Sequence, residues 1–314
     1  MTPHETDAAP LRIGLVGMDT SHVPAFTKLF HDPVADGDLA GFRVVAGLPD
    51  GSDLPMSKDR IAGFTEEARA LGVEIVSTVD ELVERCDRLM IVSVDGRIHL
   101  RQARELFGRG LPVFVDKPVA GNLSECLALA DLAERTGTPW FSSSSTRFGE
   151  GVAALSSRPD LGSIRGATSW GPLAYQVGMP ELYFYGIHGI EALFAAMGPG
   201  CESVSRKKGP VHDLVVGTWN GGRVGVYRGI VGATAGYGVT AYGERGFATV
   251  TEEPSYEALC RRIGRFFRIG EIPVAPAETL EIYAFMEAAD ESLARGGAEV
   301  SLAETTARSA NKSR

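Results

Sequence analysis

The apolar run Leu111-Pro-Val-Phe-Val115 is followed directly by Asp116-Lys117-Pro118, and this stretch decides how the fold is interpreted. A short apolar run of this kind is typical of a buried strand, which places the two charged residues at its carboxyl end. In open α/β sheets, ligands bind outside the carboxyl ends of the strands. Because burying a lysine without a partner costs free energy, we expect Lys117 to belong to a ligand site or, in the simpler alternative, to point into water.

The first half of the chain alternates short apolar runs with amphipathic segments. Continuous apolar strands between helices predict a parallel sheet that is covered on both faces. The expected strands are residues 11–17, 42–48, 73–76, 88–94, 111–115 and 139–141. Asn122 and Gly137 have the residue types of an N-cap and a C′ position for a helix over residues 123–135. Residues 1–146 are therefore predicted to form a Rossmann-type doubly wound domain.

The second half has longer strands of alternating polarity, expected at residues 164–173, 213–219, 223–231, 239–243 and 247–251. Asn220-Gly-Gly222 predicts a tight hairpin, and Gly243-Glu-Arg-Gly246 predicts a second one. Helices are expected over residues 180–197, 255–267 and 277–294. This set predicts an α+β domain over residues 147–314, built on a large, mostly antiparallel, open-faced sheet. Arg206-Lys-Lys208 is interpreted as an exposed basic loop, and residues 303–314 as a frayed tail.

Composition excludes several classes of function. The net charge is −9 and no basic patch is present, so nucleic acid is not an expected partner. No apolar run is long enough to cross a membrane, and the first ten residues lack the apolar core of a signal peptide. Cys86, Cys126, Cys201 and Cys260 lie far apart without metal-ligand spacing. We therefore expect a cytoplasmic protein with reduced thiols and no metal.

The first predicted strand turns at Gly17-Met-Asp-Thr-Ser-His22, close to a dinucleotide fingerprint but not identical to it. In the pattern G-x-G-x-x-G/A, Asp19 takes the second glycine position, which lets the backbone approach the pyrophosphate. His22 takes the third, which lets helix and strand pack closely. Thr20 and Ser21 could cap the following helix, whose N-terminus is an anion site. The loop leaves dinucleotide binding and a purely structural turn open as alternatives.

Two acidic residues after the second strand bear on the choice between NAD and NADP. Asp50 and Asp53 follow that strand, where an acidic residue normally binds the adenosine ribose. Neither stands directly at the strand end, and both residue types are common in turns. The cofactor preference is therefore left open.

Several motifs in order resemble those of one enzyme family. Asp116-Lys-Pro118 resembles its Glu-Lys-Pro motif, and Ser93-Val-Asp-Gly-Arg-Ile-His99 its Thr-Pro-Asn-x-x-His segment with one extra residue. Arg147-Phe148 and Leu161-Gly-Ser-Ile-Arg165 resemble its entry into the second domain, and Tyr185-Gly-Ile-His-Gly-Ile-Glu191 resembles its Asp-x-Gly-x-His-x-x-Asp helix. By these motifs nearly the whole chain resembles the Gfo/Idh/MocA oxidoreductases, the glucose–fructose oxidoreductase and inositol dehydrogenase family.

The resemblance implies NAD or NADP as cofactor, a sugar, inositol or related polyol as substrate, and hydride transfer as the reaction. It places the dinucleotide at Gly17, Met18, Asp19, Thr20, Ser21, His22, Ser93, Val94, Asp95, His99, Asp116, Lys117 and Pro118. For His99, capping or packing at the start of a helix is the alternative. The family's aspartate four residues before the histidine is replaced by Phe184, which indicates a divergent branch.

Oxidising a secondary alcohol with a nicotinamide requires a base for the hydroxyl proton. A histidine near neutral pKa suits this task, so His188 is the candidate base, with a satisfied core histidine as the alternative. Lys117 could hold the hydroxyl oxygen and stabilise negative charge on it. Arg147, Tyr185 and Glu191 are the candidate substrate-binding residues. Glu191 could instead form a structural ion pair, and Tyr185 could pack in the core.

Two other functions compete with this interpretation. One is redox-assisted glycoside cleavage, in which tightly held NAD oxidises and then re-reduces the substrate. The other is a sugar- or nucleotide-binding protein without turnover, which Phe184, Asp19 and His22 favour. Neither is excluded by the motifs.

The predicted second sheet also bears on assembly. The helices expected in residues 147–314 are too few to cover both faces, so the open face, expected to hold Val216, Thr218 and Tyr227, is a partner surface. The family pairs such faces, and we expect a homodimer or a dimer of dimers.

Overall fold

The computed structural model describes residues 9–233, 236–252 and 255–312, which form two β-sheets with their helices. The strands are β1 (Leu11–Val16), β2 (Phe42–Leu48), β3 (Glu74–Ile75), β4 (Arg88–Ile91), β5 (Val113–Val115), β6 (Trp140–Phe141), β7 (Ile164–Leu173), β8 (Cys201–Lys208), β9 (His212–Trp219), β10 (Arg223–Val231), β11 (Tyr237–Gly243), β12 (Phe247–Glu252) and β13 (Val300–Ser301). The helices are α1 (His22–Phe30), α2 (Pro55–Ala70), α3 (Val79–Arg85), α4 (His99–Leu106), α5 (Leu123–Thr136), α6 (Glu150–Ala154), α7 (Ile187–Met197), α8 (Tyr256–Ile269), α9 (Pro276–Ala294) and α10 (Leu302–Lys312).

The first sheet is parallel, with strand order β3-β2-β1-β4-β5-β6. This is the doubly wound order, so the predicted Rossmann-type domain is confirmed. The predicted ends of α5 are also confirmed, since the Asn122 side chain accepts a hydrogen bond from the Glu125 N–H and Gly137 adopts a left-handed conformation. Gly17, Asp116 and Ser142 follow β1, β5 and β6 respectively and therefore meet at one edge of this sheet.

The second sheet has strand order β12-β11-β7-β10-β9-β8-β13 and is antiparallel except for the parallel pair β7 and β10. Both predicted hairpins are confirmed, at residues 220–222 and 243–246. Helices α7 and α9 pack against one face. On the other face Val216 and Thr218 are half-exposed, as expected. Tyr227 is wrongly placed there: it pairs with buried Val215 and is itself buried beneath the helices.

Two predictions in the second half are wrong. Residues 206–208 belong to β8, and Arg206 is buried. Three carboxylates surround it, from Asp213 beside it in the sheet and from Glu181 and Asp290. Residues 303–312 are helical within α10, because Leu302, Thr305 and Ser309 bury one face of it. Residues 313–314 lie outside the described part.

Helix α8 connects the two halves of the molecule. Although it lies late in the chain, it packs against α1. Its Phe266 makes an edge contact with Phe141 of β6, with ring centroids 5.1 Å apart. The division of the chain at residue 146 stays a prediction, because α8 contributes to the core of the first sheet. Across the described residues, no helix combines the length and apolar character needed to cross a membrane.

Candidate active site

A cavity of about 510 Å³ lies at the carboxyl edge of the first sheet, where α7 of the second half faces it. Its lining includes Thr20, Ser21, His22, Arg60, Val94, Lys117, Ser145, Phe184, Tyr185, His188, Tyr237 and Tyr256. A slightly larger cleft of about 590 Å³ between α5 and α9 shares none of these residues and is mainly apolar. The smaller cavity is the candidate site because Lys117 and His188 meet there, one from each half of the chain.

Asp116 organises the charged groups on the strand-end side of the cavity. Its carboxylate accepts a hydrogen bond from His22 Nδ1 and another, of 2.8 Å, from the Lys117 backbone N–H. Burial by itself would raise the pKa of Asp116, but His22 and Lys117 outweigh it and the pKa is lowered. The residue is therefore an anion. His22, in the place of the third glycine, is the partner of this buried carboxylate.

Lys117 lines the cavity beside this pair. Burial lowers its pKa, and the neighbouring Asp116 carboxylate opposes the shift. Lys117 is half-buried at the cavity wall, and its ammonium has three N–H bonds to offer a ligand.

His188 follows a π-helical turn, Leu182–Gly186, at the start of α7. Such turns occur frequently at functional sites. Its Nδ1 lies 2.7 Å from Ser144 Oγ, and its ring makes edge contacts with Tyr185 and Tyr237. Burial, and then the positive charges of Lys117 and His22, hold the pKa of His188 well below its usual range. The imidazole is therefore neutral near pH 7 and can accept a proton.

The loop after β1 meets the end of β4. Gly17 has φ +89°, and a Cβ there would lie 2.1 Å from Ser93 Oγ, so only glycine fits. Asp19 is buried, and its carboxylate accepts hydrogen bonds from the Ser57 hydroxyl at 2.5 Å and the Val94 N–H at 2.9 Å. This carboxylate does not line the cavity, whereas Thr20 and Ser21 at the start of α1 do.

These positions test whether a dinucleotide fits the residues present. The start of α1 faces the cavity at Thr20 and Ser21, where the helix dipole favours an anion. Within the first turn, the His22 and Val23 N–H groups already donate to Thr20, and Pro24 has no N–H. On the adenosine side the two acidic residues already have partners: Asp50 binds Arg101 at 2.9 Å, and Asp53 binds Arg97 at 2.8 Å. The residues therefore fit the phosphate and nicotinamide portions of the cofactor. For the ribose, Asp50 is already engaged through both oxygens, whereas exposed Asp53 pairs with Arg97 through one oxygen only.

Other predicted cofactor residues support the cavity from behind. Ser93 Oγ accepts a 2.7 Å hydrogen bond from Gln102, and the Ser93 carbonyl accepts one of 2.8 Å from His99 Nε2. Asp95 accepts hydrogen bonds from Arg97. Met18 and Pro118 are buried. The loop after β4 is thus held in place, with Val94 at the cavity.

Arg147 and Glu191 lie away from the cavity, contrary to their assignment to the substrate. They form a buried ion pair, with Arg147 Nε 2.6 Å from Glu191 Oε2. Arg147 Nη2 also lies 2.7 Å from Glu278 Oε1. The pair holds α7 against the segment after β6. Tyr185 does line the cavity, as does Phe184 in the position of the family's aspartate.

Ser144, which contacts His188, was not predicted from the sequence. The same holds for three residues that line the cavity: Arg60 of α2, Tyr237 and Tyr256. A signal for Ser144 was present: Ser142-Ser-Ser-Ser145 follows β6, and the strand-end rule that identified Lys117 applies there too. Among the described residues, no group of three or more histidine, cysteine or acidic side chains is placed to bind a metal.

Part of the chain matches a known oxidoreductase family in sequence. Residues 55–143 match the model of GFO_IDH_MocA, an oxidoreductase family with an NAD-binding Rossmann fold. Over 145 residues the chain is 31% identical to a protein of Amycolatopsis mediterranei described as a putative UDP-kanosamine synthase oxidoreductase subunit. That match covers 42% of this chain and only 40% of the curated relative.

Solved structures share the fold over almost the whole chain. Myo-inositol 2-dehydrogenase from Lactobacillus plantarum has a TM-score of 0.75 at 15% identity, covering 93% of this chain and 99% of that one. Scyllo-inositol dehydrogenase from Lactobacillus casei, with bound NAD(H) and scyllo-inositol, has a TM-score of 0.72 at 15% identity, covering 94% and 99%. At such identities the likeness establishes the two-domain fold.

Proposed function

Because the chain belongs to the Gfo/Idh/MocA family of NAD-binding oxidoreductases, we propose that it oxidises a secondary alcohol of a sugar, inositol or related polyol by hydride transfer to NAD or NADP. The observation that carries the proposal is the pairing of a neutral His188 with Lys117 across one cavity. Each comes from a different half of the chain, as a cofactor domain and a substrate domain require.

The cofactor would lie along the edge of the first sheet. Its phosphates would bind at the start of α1, near the Thr20 and Ser21 side chains, where the helix dipole favours an anion. Arg60 of α2 lines the same cavity and would add positive charge. Val94 and Lys117 would flank the nicotinamide. When bound, the nicotinamide supplies the acceptor for the hydride.

The two protein groups divide the remaining chemistry. His188 removes the hydroxyl proton of the substrate, and a neutral imidazole is the form that can do so. Lys117 donates a hydrogen bond to the same oxygen and stabilises the negative charge that develops there. The low pKa of His188 keeps the base neutral, while Asp116 helps to keep Lys117 charged.

The substrate class is proposed from the walls of the cavity. Tyr185, Tyr237 and Tyr256 line it together with Phe184. Aromatic faces with hydroxyl groups at their rims present an apolar body and a polar tip, which suits a ring that carries both C–H faces and hydroxyls. The relative crystallised with scyllo-inositol binds such a compound.

Incubating the protein with NAD or NADP and a panel of inositols, hexoses and their glycosides tests this function. We expect reduced nicotinamide to accumulate with at least one polyol, and no accumulation with the His188→Asn variant. Conversion of a glycoside with no net reduced nicotinamide would replace the proposal by redox-assisted cleavage. Cofactor binding without conversion of any panel member would favour a non-catalytic binding protein.

We also propose a homodimer, or a dimer of dimers, through the open face of the second sheet. Val224, Tyr242 and Phe247 are exposed apolar or aromatic residues on its strands, Phe247 at 73%. Multi-angle light scattering should give about twice the 33.4 kDa chain mass or a multiple of it. A clean monomer at micromolar concentration would contradict this proposal. The four buried, unpaired cysteines suit a reducing compartment, so we propose a cytoplasmic location.

A further inference from the structure

Ser144, Thr146 and His188 form a closed circuit of hydrogen bonds behind the candidate base. His188 Nδ1 lies 2.7 Å from Ser144 Oγ, and Ser144 Oγ lies 2.9 Å from Thr146 Oγ1. Thr146 Oγ1 in turn lies 2.7 Å from the backbone carbonyl oxygen of His188. Ser144 and Thr146 are both buried and belong to the segment that directly follows β6.

Counting protons fixes the direction of this circuit. A hydroxyl has one proton to donate, and a carbonyl oxygen can only accept. The proton of Thr146 is therefore committed to the carbonyl of His188. Ser144 must then donate to Thr146, which uses its own proton. The remaining contact can form only if His188 Nδ1 carries a hydrogen and donates it to Ser144.

The opposite direction leaves a contact without a proton. If Ser144 donated to His188 Nδ1, Thr146 would have to donate to Ser144. The Thr146 and His188 oxygens would then face each other at 2.7 Å with no hydrogen between them. Ser144 Oγ also accepts the Thr146 backbone N–H at 3.3 Å, which agrees with its role as an acceptor. The tautomer is thus assigned from the hydrogen-bond network.

We propose that Ser144, oriented by Thr146, is a positioning residue that holds His188 as the Nδ1-protonated tautomer and leaves Nε2 free to accept the substrate proton. Phe184, which stands where the family has an aspartate, has no polar side-chain group that could orient His188. In a histidine, the hydrogen bond made by one ring nitrogen determines whether the other nitrogen is free to accept a proton. The catalytic part of this inference rests on the proposed role of His188 as the base, whereas the tautomer itself does not.

The tautomer can be measured without any substrate or cofactor. Nitrogen-15 NMR of the histidine side chains distinguishes the two tautomers, and comparison with His188→Asn assigns the His188 signals. We expect the Nδ1-protonated form in the wild type and in Ser144→Thr, which keeps the hydroxyl. We expect loss of that preference in Ser144→Ala. Ser142→Ala, a buried serine of the same run, is the matched control and should leave the signals unchanged.

The kinetic arm uses the hydride-transfer assay at several pH values. Removing a contact that positions a general base should lower kcat by roughly tenfold to a thousandfold. This decrease should not exceed the decrease caused by removing the base itself. KM should change little, and Ser144→Thr should restore most of the rate. An Nε2-protonated His188 in the wild type, or an unchanged tautomer in Ser144→Ala, overturns the inference. The predicted tautomers with no hydride transfer from any polyol would instead leave the positioning intact and refute the proposed function.

Discussion

Two clusters of charged side chains in this molecule both combine cationic groups with carboxylates. They differ in whether every cationic group has an acidic partner. The Arg206 cluster lies within the second half of the chain, and the Lys117 cluster lines the cavity. Arg206 is surrounded by three carboxylates, and each of its guanidinium nitrogens has an acidic partner. Burial would lower the pKa of Arg206, but Asp213 and the other carboxylates raise it.

The Lys117 cluster has the opposite balance. One carboxylate, Asp116, interacts with His22 and Lys117, and both of these groups in turn act on His188. As a result the pKa values of Lys117 and His188 are both lowered, mainly by burial. Perturbed pKa values occur in structural networks as well as at functional sites. The two clusters differ in two ways: the Lys117 cluster has fewer carboxylates than cationic groups, and it borders an open cavity. The predictions below test whether this difference separates a functional cluster from a structural one.

Replacing Lys117 should have the largest effect on activity. Lys117→Met removes the donor to the substrate oxygen, and we expect kcat to fall by about a hundredfold or more, a typical loss for an electrostatic catalytic group. The far-ultraviolet circular dichroism should stay that of the wild type. Steady-state kinetics with the identified polyol provide the measurement, and an unchanged rate would remove Lys117 from the chemistry.

Replacing Arg206 should have a large effect on stability and little on catalysis. Arg206→Met leaves the buried Asp213 without its cationic partner, with only the Tyr175 hydroxyl as a donor. Breaking a fully buried pair costs about 3–5 kcal/mol. Urea unfolding measures this change in the free energy of unfolding. The turnover of the folded fraction should match the wild type. A specific loss of turnover with stability intact would mean that the two clusters are not distinct in function.

The pH dependence should reflect the low pKa of His188. The base works when neutral, so activity should persist below the ordinary histidine pKa of about 6.5. Since the unfolded state takes up a proton at His188 before the folded state does, stability should decline as pH falls through that value. On the alkaline side, activity should be lost at a pH below the usual lysine pKa range, because the pKa of Lys117 is lowered. In His188→Asn the acid-side loss of stability should be smaller. A wild-type acid limb at or above the ordinary histidine pKa would contradict the assignment.

Much of the first domain was predictable because buried parallel strands are continuous apolar runs that end at polar residues. The strand β8 was missed because its sequence, Cys201-Glu-Ser-Val-Ser-Arg-Lys-Lys208, is largely polar. The partners that allow Arg206 to be buried include Glu181 and Asp290, which are distant in sequence. A local sequence pattern therefore cannot predict that these residues will meet in the folded chain.

The candidate site was predictable only in part. The sequence predicted that Lys117 and His188 share one cleft. Lys117 was identified by its position at a strand end, and His188 by the resemblance to the family's helix motif. The pairing of Arg147 with Glu191 depends on how α7 packs, and the role of Ser144 depends on a circuit that closes only in three dimensions. A motif can indicate that a histidine is important without indicating what orients it.

Calorimetric titration with NAD and with NADP tests the central claim most directly, because both the reaction and its geometry require a dinucleotide at this cavity. We predict saturable binding of one dinucleotide per chain. The Arg60→Met variant, which lacks a positive charge at the cavity, should bind the dinucleotide more weakly. Arg69 lies on the same helix but is exposed and pairs with Glu66, so the control variant Arg69→Met should bind as the wild type does. No heat from either nucleotide at millimolar concentration would contradict the account.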